Sequence, residues 1–241
     1  MVQGQLEMRH FIFDVDGTIT PSRQTINKDF KKFFNHFCRK HRVSLVTGSD
    51  KPKTIEQIGE DTYNLCHTVY NCNGSDVWQS RKNIYSDDWV LLKDIEEWLS
   101  GFLLESKFVL RTGLHFEHRT GMCNFSIVGR NATLGERMLY ANFDKEHNER
   151  NRIAEMLNVR FPYVNAKVGG ETGIDISKKH SDKSQILKYF DEREELYFFG
   201  DAMHKEGNDY PLKKVILDKD RGFCYTIKDY KETWDLLKKY D

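Results

Sequence analysis

The stretch Phe11-Ile12-Phe13-Asp14-Val15-Asp16-Gly17-Thr18-Ile19-Thr20 limits what this chain can fold into more than any other. An apolar, β-branched and aromatic run ends in two carboxylates two residues apart, and Gly-Thr follows at once. A strand over Phe11–Phe13 puts Asp14 and Asp16 at its C-terminal end, where open α/β sheets gather their ligands. Strand alternation sends residues i and i+2 to one face, and Gly17 lets the backbone turn sharply and approach a ligand closely. Two neighbouring carboxylates repel each other and need a partner. A divalent cation such as Mg²⁺ suits them, since it prefers hard oxygen ligands and keeps room for phosphate. The competing reading is a bare turn or a Ca²⁺ loop. An EF-hand, however, needs more carboxylate and carbonyl ligands and a Glu at the twelfth position, where this chain has Thr.

The pattern downstream extends the strand into an α/β sheet. Ile26, Phe30, Phe33, Phe34 and Phe37 form the stripe of an amphipathic helix, closed by the basic run Arg39–Arg42, which suits a helix C-terminus. Val43–Val46 reads as a buried strand and Thr47-Gly48-Ser49-Asp50 as a strand-to-helix junction, with Pro52 in the first helical turn. His67–Asn71 is a third strand leading into the Asn73-Gly74 turn. This β-α-β-α-β opening implies a parallel sheet with right-handed crossovers.

From Trp89 the rhythm changes. Trp89, Leu92, Ile95, Leu99 and Phe102 have helical spacing, followed by short alternating runs at Leu114–His118 and Met122–Val128. A long charged helix then opens on a Thr133/Glu136 capping box, and a strand lies near Gly173–Ile176. The expectation is an α+β domain at 82–178, inserted into a discontinuous α/β core at 1–81 and 179–241. After Ser181 the pattern predicts a short helix (Ile186, Leu187, Phe190), a strand Leu196–Phe199 ending in Gly200-Asp201, a strand Val215–Leu217, and a closing helix through Tyr230, Trp234 and Leu237.

Charge narrows the function classes. Lys plus Arg and Asp plus Glu number 37 each, so there is no global basic footprint for nucleic acid or an anionic membrane. No apolar run approaches the roughly eighteen residues of a membrane helix, and the first ten residues are too polar for a signal peptide. Five cysteines without CxxC spacing fit neither zinc nor a disulfide framework, which points to a reducing cytoplasm. Cys72 reads as a small core residue, and the histidines show no paired metal spacing.

Four short segments, distant in sequence, fall at strand ends or the adjoining helix starts: Asp14/Asp16, Thr47-Gly48-Ser49, Lys183, and Asp201 with Gly207-Asn208-Asp209. The Thr47 hydroxyl and nearby N–H groups can hold phosphate oxygens at a helix N-terminus, and Lys183 can offset phosphoryl charge. This set, in this order, resembles the four motifs of the haloacid dehalogenase (HAD) phosphotransferase superfamily. The resemblance implies a Rossmann-like core with a C2-type cap. It makes Asp14 the nucleophile and Asp16 the acid and base, with Mg²⁺ held by Asp14, the Asp16 backbone carbonyl, Asp201 and Asp209.

The inserted region narrows the resemblance. Phe116-Glu117-His118-Arg119, Met122, Asn124, Ser126, Gly129-Arg130 and Glu136-Arg137 are similar to the cap of eukaryotic-type phosphomannomutases. Pro21 and Arg23 match its Pro-x-Arg after the first motif, and Gly169-Gly170 with Asp175 resembles its Gly-Gly…Phe-Asp segment. The likeness covers roughly residues 10 to 225. It implies that Arg119, Arg130 and Arg137 grip the non-reacting phosphate, that Asn124, Glu171, Gly173 and Asp175 face the sugar, and that Arg23 and Ser49 touch phosphate from the core side. A homodimer through the cap is implied as well. Arg suits bidentate phosphate recognition, although these three could instead pair with Glu117, Glu136 and Asp144.

Three positions depart from that pattern. Thr47 stands where the mutases carry Gly, Asp201 is the residue typical of HAD phosphatases, and Gly173 replaces a Ser. The segment after Gly173 also lacks the aromatic and Pro residues of the mutases. These differences bear on sugar identity more than on phosphoryl chemistry. The expected activity is interconversion of mannose 1-phosphate and mannose 6-phosphate, with a hexose 1,6-bisphosphate as activator. A Mg²⁺-dependent sugar-phosphate phosphatase on the same aspartate is the alternative. A non-catalytic sugar-phosphate binder would be expected to have lost a motif carboxylate, and a nucleic-acid phosphatase lacks its basic aromatic groove.

Overall fold

Phe11, Ile12 and Phe13 are fully buried in β1 (Met8–Phe13), an inner strand of a seven-stranded sheet. The structure is a computed structural model that describes residues 8–21 and 24–240. It divides into two units, Asp87–Ser181 and the segments flanking it.

In the larger unit, α1 (Lys28–Lys40) begins where the Asn27 side chain accepts from the Asp29 and Phe30 N–H groups. Its Phe34 and Phe37 rings meet Phe13 and Phe11 edge-on. β2 (Arg42–Val46) lies parallel to β1. α2 (Lys51–Ile58) is capped by Asp50, whose carboxylate accepts from the Lys53 N–H, and Pro52 occupies its first turn. α3 (Glu60–Leu65) leads to β3 (Thr68–Asn71), parallel to β2. β4 (Asp76–Gln79) and β5 (Lys82–Ser86) then run antiparallel and widen the same sheet. Residues 82–86, expected at the start of the inserted domain, thus pair with the larger sheet, and the smaller unit begins at Asp87. β5 is a mostly exposed edge strand, so it carries little of the alternation that marks a half-buried one.

The smaller unit builds its own core. α4 (Lys93–Glu105) buries Ile95, Leu99 and Phe102, followed by β6 (Phe116–Arg119) and β7 (Met122–Phe125). α5 (Leu134–His147) opens on the Thr133/Glu136 capping box, and α6 (Glu149–Arg160) follows it. The single long helix expected here is two, broken at Asn148 in the left-handed conformation (φ 51°). The break is stitched by the Tyr140 hydroxyl donating to Glu149 at 3.1 Å and by Arg150 paired with Asp144 at 2.8 Å. β8 (Val164–Gly169) and β9 (Gly173–Lys178) complete an antiparallel sheet in the order β6-β7-β9-β8.

The larger unit resumes with a 3-10 helix over Lys183–Tyr189 and with β10 (Glu194–Gly200), parallel to β1 in the register Met8↔Glu194 through Phe13↔Phe199. Val215–Leu217, expected as a strand, lies in helix α7 (Tyr210–Asp218). Pro211 starts that helix, and Leu212 and Ile216, four apart, face its core. The missing strand is β11 (Gly222–Thr226), parallel to β10, and α8 (Tyr230–Leu237) closes the described chain. The fold is α/β with a mainly parallel sheet, order β11-β10-β1-β2-β3-β4-β5, plus a separate antiparallel insert. No described helix is long and apolar enough to cross a membrane. None of the five cysteines is in a disulfide among the described residues.

At the N-terminal ends of β1, β2 and β10, Glu194 accepts from Arg42 at 2.8 Å and lies 3.3 Å from the His10 ring, whose other nitrogen meets Ser44 at 2.8 Å. Beside this network, burial pushes His67 down to about 4, with Arg42 and His10 adding to the effect and Glu194 opposing it. An unfolded His67 takes up its proton near the ordinary 6.5. Acid therefore favours the unfolded chain between these values: the stability is full above about 6.5 and is lost as pH falls toward 4. Melting temperatures across this range should fall less steeply for His67→Gln than for the natural chain.

Candidate active site

The parallel strands β1, β2 and β10 end together, and the candidate catalytic side chains of the larger unit sit at those ends. Asp14 directly follows β1, anchored by its N–H donating to the Phe199 carbonyl at 2.9 Å. Gly17 turns the chain with φ +77°, and a Cβ there would lie 2.2 Å from the Asp201 carboxylate. Only glycine fits both the conformation and the approach. This is how Asp201, which follows β10, comes up against the first loop.

Lys183 is fully buried and donates to Asp14 at 2.5 Å and to Asp209 at 2.6 Å. Asp209, also fully buried, accepts a further bond from the Ala202 N–H at 3.0 Å. Burial pushes the Asp14 carboxyl well above the usual carboxylate range, against the pull of Lys183 and with the push of Asp209. Burial alone would lower Lys183, but the two carboxylates outweigh it and hold the ammonium charged. Asp201 is raised by burial and by Asp209.

Carboxylate oxygens of Asp14, Asp201 and Asp209 all lie within 4.8 Å of one another. Three carboxylates share one lysine, so two negative charges remain to be balanced if all are ionised. This all-oxygen set suits a hard divalent cation. The Asp16 side chain stands outside the group; its carboxylate accepts from the Gln57 amide at 2.8 Å. Only its backbone carbonyl is then a candidate ligand.

Thr47 follows β2 and is buried; its N–H donates to the Tyr70 carbonyl at 2.9 Å. Its hydroxyl accepts from the Ser49 N–H at 3.1 Å, which shapes the loop feeding the N-terminus of α2. Arg23 lies outside the described residues.

In the smaller unit, Glu117 accepts from Arg119 at 2.8 Å and pairs with the Arg130 guanidinium at 2.6 Å, so one carboxylate draws both arginines together. Arg137 donates to the carbonyls of Ala132 at 3.2 Å and Arg130 at 3.3 Å, bracing the loop that carries Arg130. Glu136 serves the helix cap and Asp144 takes Arg150. On the neighbouring strands β7 and β9, Asn124 donates to Asp175 at 2.6 Å. Its own Oδ1 is buried without a hydrogen-bond partner. A Cβ on Gly173 would lie 2.3 Å from the Asn124 amide, so the glycine makes room for this pair. Glu171 is exposed in the turn before β9. Burial lifts Asp175, with Asn124 and the two arginines pulling it back.

Sequence reasoning missed two of these residues as parts of a site. Gln57 carries no motif; its one signal is an uncharged amide on the inward face of a helix, next to buried Ile58. Glu117 was visible only as a neighbour for arginines.

The model of the family described as eukaryotic phosphomannomutase matches residues 30–240. Phosphomannomutases of Oryza sativa subsp. indica and Saccharomyces cerevisiae are each 32% identical to the chain, over 232 and 236 residues. These alignments cover 92% and 94% of this chain and 91% of each relative. Among solved structures, a haloacid dehalogenase-like hydrolase from Bacteroides thetaiotaomicron matches with a TM-score of 0.63 at 13% identity, covering 97% of this chain and 99% of that one. A sucrose-phosphatase from Synechocystis, in complex with sucrose and phosphate, matches with a TM-score of 0.58 at 11% identity, covering 98% and 99%. At such identities these two structures share the fold.

Proposed function

Because the chain belongs to the eukaryotic phosphomannomutase family, we propose that it interconverts mannose 1-phosphate and mannose 6-phosphate in the cytoplasm, with a hexose 1,6-bisphosphate as activator. Asp14 attacks phosphorus and forms an aspartyl-phosphate, and the bond between phosphorus and the sugar oxygen breaks. Asp16 gives that oxygen its proton and later takes one from the hydroxyl that attacks in return. Lys183 orients Asp14 and spreads positive charge beside the phosphoryl group, while Thr47 and Ser49 hold its oxygens. Asp14, Asp201, Asp209 and the Asp16 carbonyl would hold Mg²⁺, which when bound neutralises phosphoryl charge.

One observation carries the reading beyond simple hydrolysis: the clustering of Arg119, Arg130 and Arg137 in a separate unit that also holds the Asn124–Asp175 pair. A mutase needs a second place for the phosphate that is not reacting, and Arg forks suit it. Asn124 Oδ1, with no protein partner, is free to accept from a sugar hydroxyl. In Gly173→Ser the new Cβ pushes Asn124 off Asp175. KM for the sugar phosphate should rise about tenfold with kcat little changed, as expected when binding is lost equally from ground and transition states.

The reading is tested by incubating the protein with Mg²⁺ and mannose 1-phosphate, with and without the bisphosphate, and following mannose 6-phosphate and inorganic phosphate together. Isomer formation that needs the bisphosphate and outpaces phosphate release supports a mutase. Phosphate release without isomer replaces it with a sugar-phosphate phosphatase, the activity toward which Thr47 leans.

A further inference from the structure

Gln57 is a polar side chain in an interior position with no place in the chemistry above. It lies at the end of α2, is 2% exposed, and donates from Nε2 to Asp16 Oδ1 at 2.8 Å. Its backbone carbonyl accepts from the Ile26 N–H at 2.8 Å, which ties the same residue to the segment preceding α1. Its Oε1 is buried without a hydrogen-bond partner. An unpaired buried carbonyl costs on the order of 1–3 kcal/mol, which an apolar residue of similar size would avoid. The amide earns its place by what it does for Asp16.

We propose that Gln57 is a positioning residue for Asp16, helping to hold the carboxylate where it can exchange a proton with the sugar oxygen. This rests on the reading of Asp16 as acid and base. Asp16 is half-exposed, and the bond from the Gln57 amide narrows the rotamers its carboxylate can take. α2 is a firm anchor for a tether, since its N-terminus is capped by Asp50 and its Thr54 hydroxyl bonds to the Asp50 carbonyl at 2.8 Å and to Asn71 at 3.1 Å. The same helix begins at the Thr47–Ser49 loop, so one rigid element would set both the phosphate loop and the proton donor.

The test uses two leaving groups. 4-Nitrophenolate departs from phosphate as a stable anion and needs no proton, whereas a sugar alkoxide does. In Gln57→Met, turnover of mannose 1-phosphate should fall about tenfold to a hundredfold, a part of the roughly 10²–10⁴-fold that acid–base catalysis supplies. The burst of 4-nitrophenolate from 4-nitrophenyl phosphate, which reports attack by Asp14, should fall less than about threefold. Asp16→Asn should show the same split with a larger loss on the sugar. Equal losses on both substrates, or none on the sugar, in Gln57→Met would overturn the proposal while leaving Asp16 as the acid. Equal losses in Asp16→Asn would instead overturn the role of Asp16 itself. Should Met at position 57 prevent folding, Gln57→Leu removes the same donor and is read identically. If the natural protein releases phosphate without making isomer, the mutase reading fails and the leaving-group comparison is made on phosphate release.

Discussion

An Asp14→Asn protein should fold normally and turn over sugar phosphate at least about 10⁴-fold more slowly, a loss of the size seen when a covalent nucleophile is removed. An amide cannot attack phosphorus, so no acid-precipitable label should appear from a radiolabelled bisphosphate. The fold survives because the substitution keeps the shape and removes a charge that burial already disfavours. Lys183 keeps Asp209 at 2.6 Å, and Asp14 stops repelling Asp209 and Asp201. The melting temperature should therefore move by less than about 3 °C, which at this chain length corresponds to roughly 1 kcal/mol. Retained turnover would remove Asp14 from the chemistry.

Lys183→Met should behave in the opposite way, losing both activity and stability. Asp14 and Asp209 are buried on either side of the ammonium, and removing it strands two carboxylates. Breaking a buried pair from one side costs about 3–5 kcal/mol, or a fall of roughly 6–20 °C in melting temperature for a protein of this size. The cost belongs to the stranded acids, so adding Asp209→Asn to Lys183→Met should recover part of it, and the two changes should be strongly non-additive. Millimolar Mg²⁺ should also raise the melting temperature of Lys183→Met, since a cation among the three carboxylates replaces the missing charge. A fall of less than about 2 °C for Lys183→Met would mean that the acids are not held as ions by the lysine.

What could be read from the residues follows from where each signal resides. The first motif was legible because a buried parallel strand followed at once by carboxylates is a local pattern, and β1 runs straight into Asp14. The same holds for α1, whose Phe stripe is the face it buries. Val215–Leu217 misled because three apolar residues fit either a strand or one face of a helix. Pro211 at the start of α7 decides for helix. β11 went unseen because an edge strand half in solvent shows no clean alternation. The break at Asn148 is made by one residue adopting the left-handed conformation, which its type permits without announcing. The carboxylates and Lys183 could be placed by motif. The Gln57–Asp16 bond could not, because it joins residues from two elements whose approach only the folded sheet creates.

The order of strands also says something about how the chain comes to be active. β1 is an inner strand, flanked on one side by β2, which follows soon after, and on the other by β10, whose Glu194 pairs with Met8. A chain emerging from the ribosome exposes that flank until residues near 200 have been made. The contiguous stretch Asp87–Ser181 meanwhile has all its own sheet partners in hand. Synthesis thus favours the insert maturing first, while Asp14, the proposed nucleophile, waits for Lys183, Asp201 and Asp209. A product cut off before Asp209 lacks one of the three clustered carboxylates and, with it, the proposed phosphoryl site.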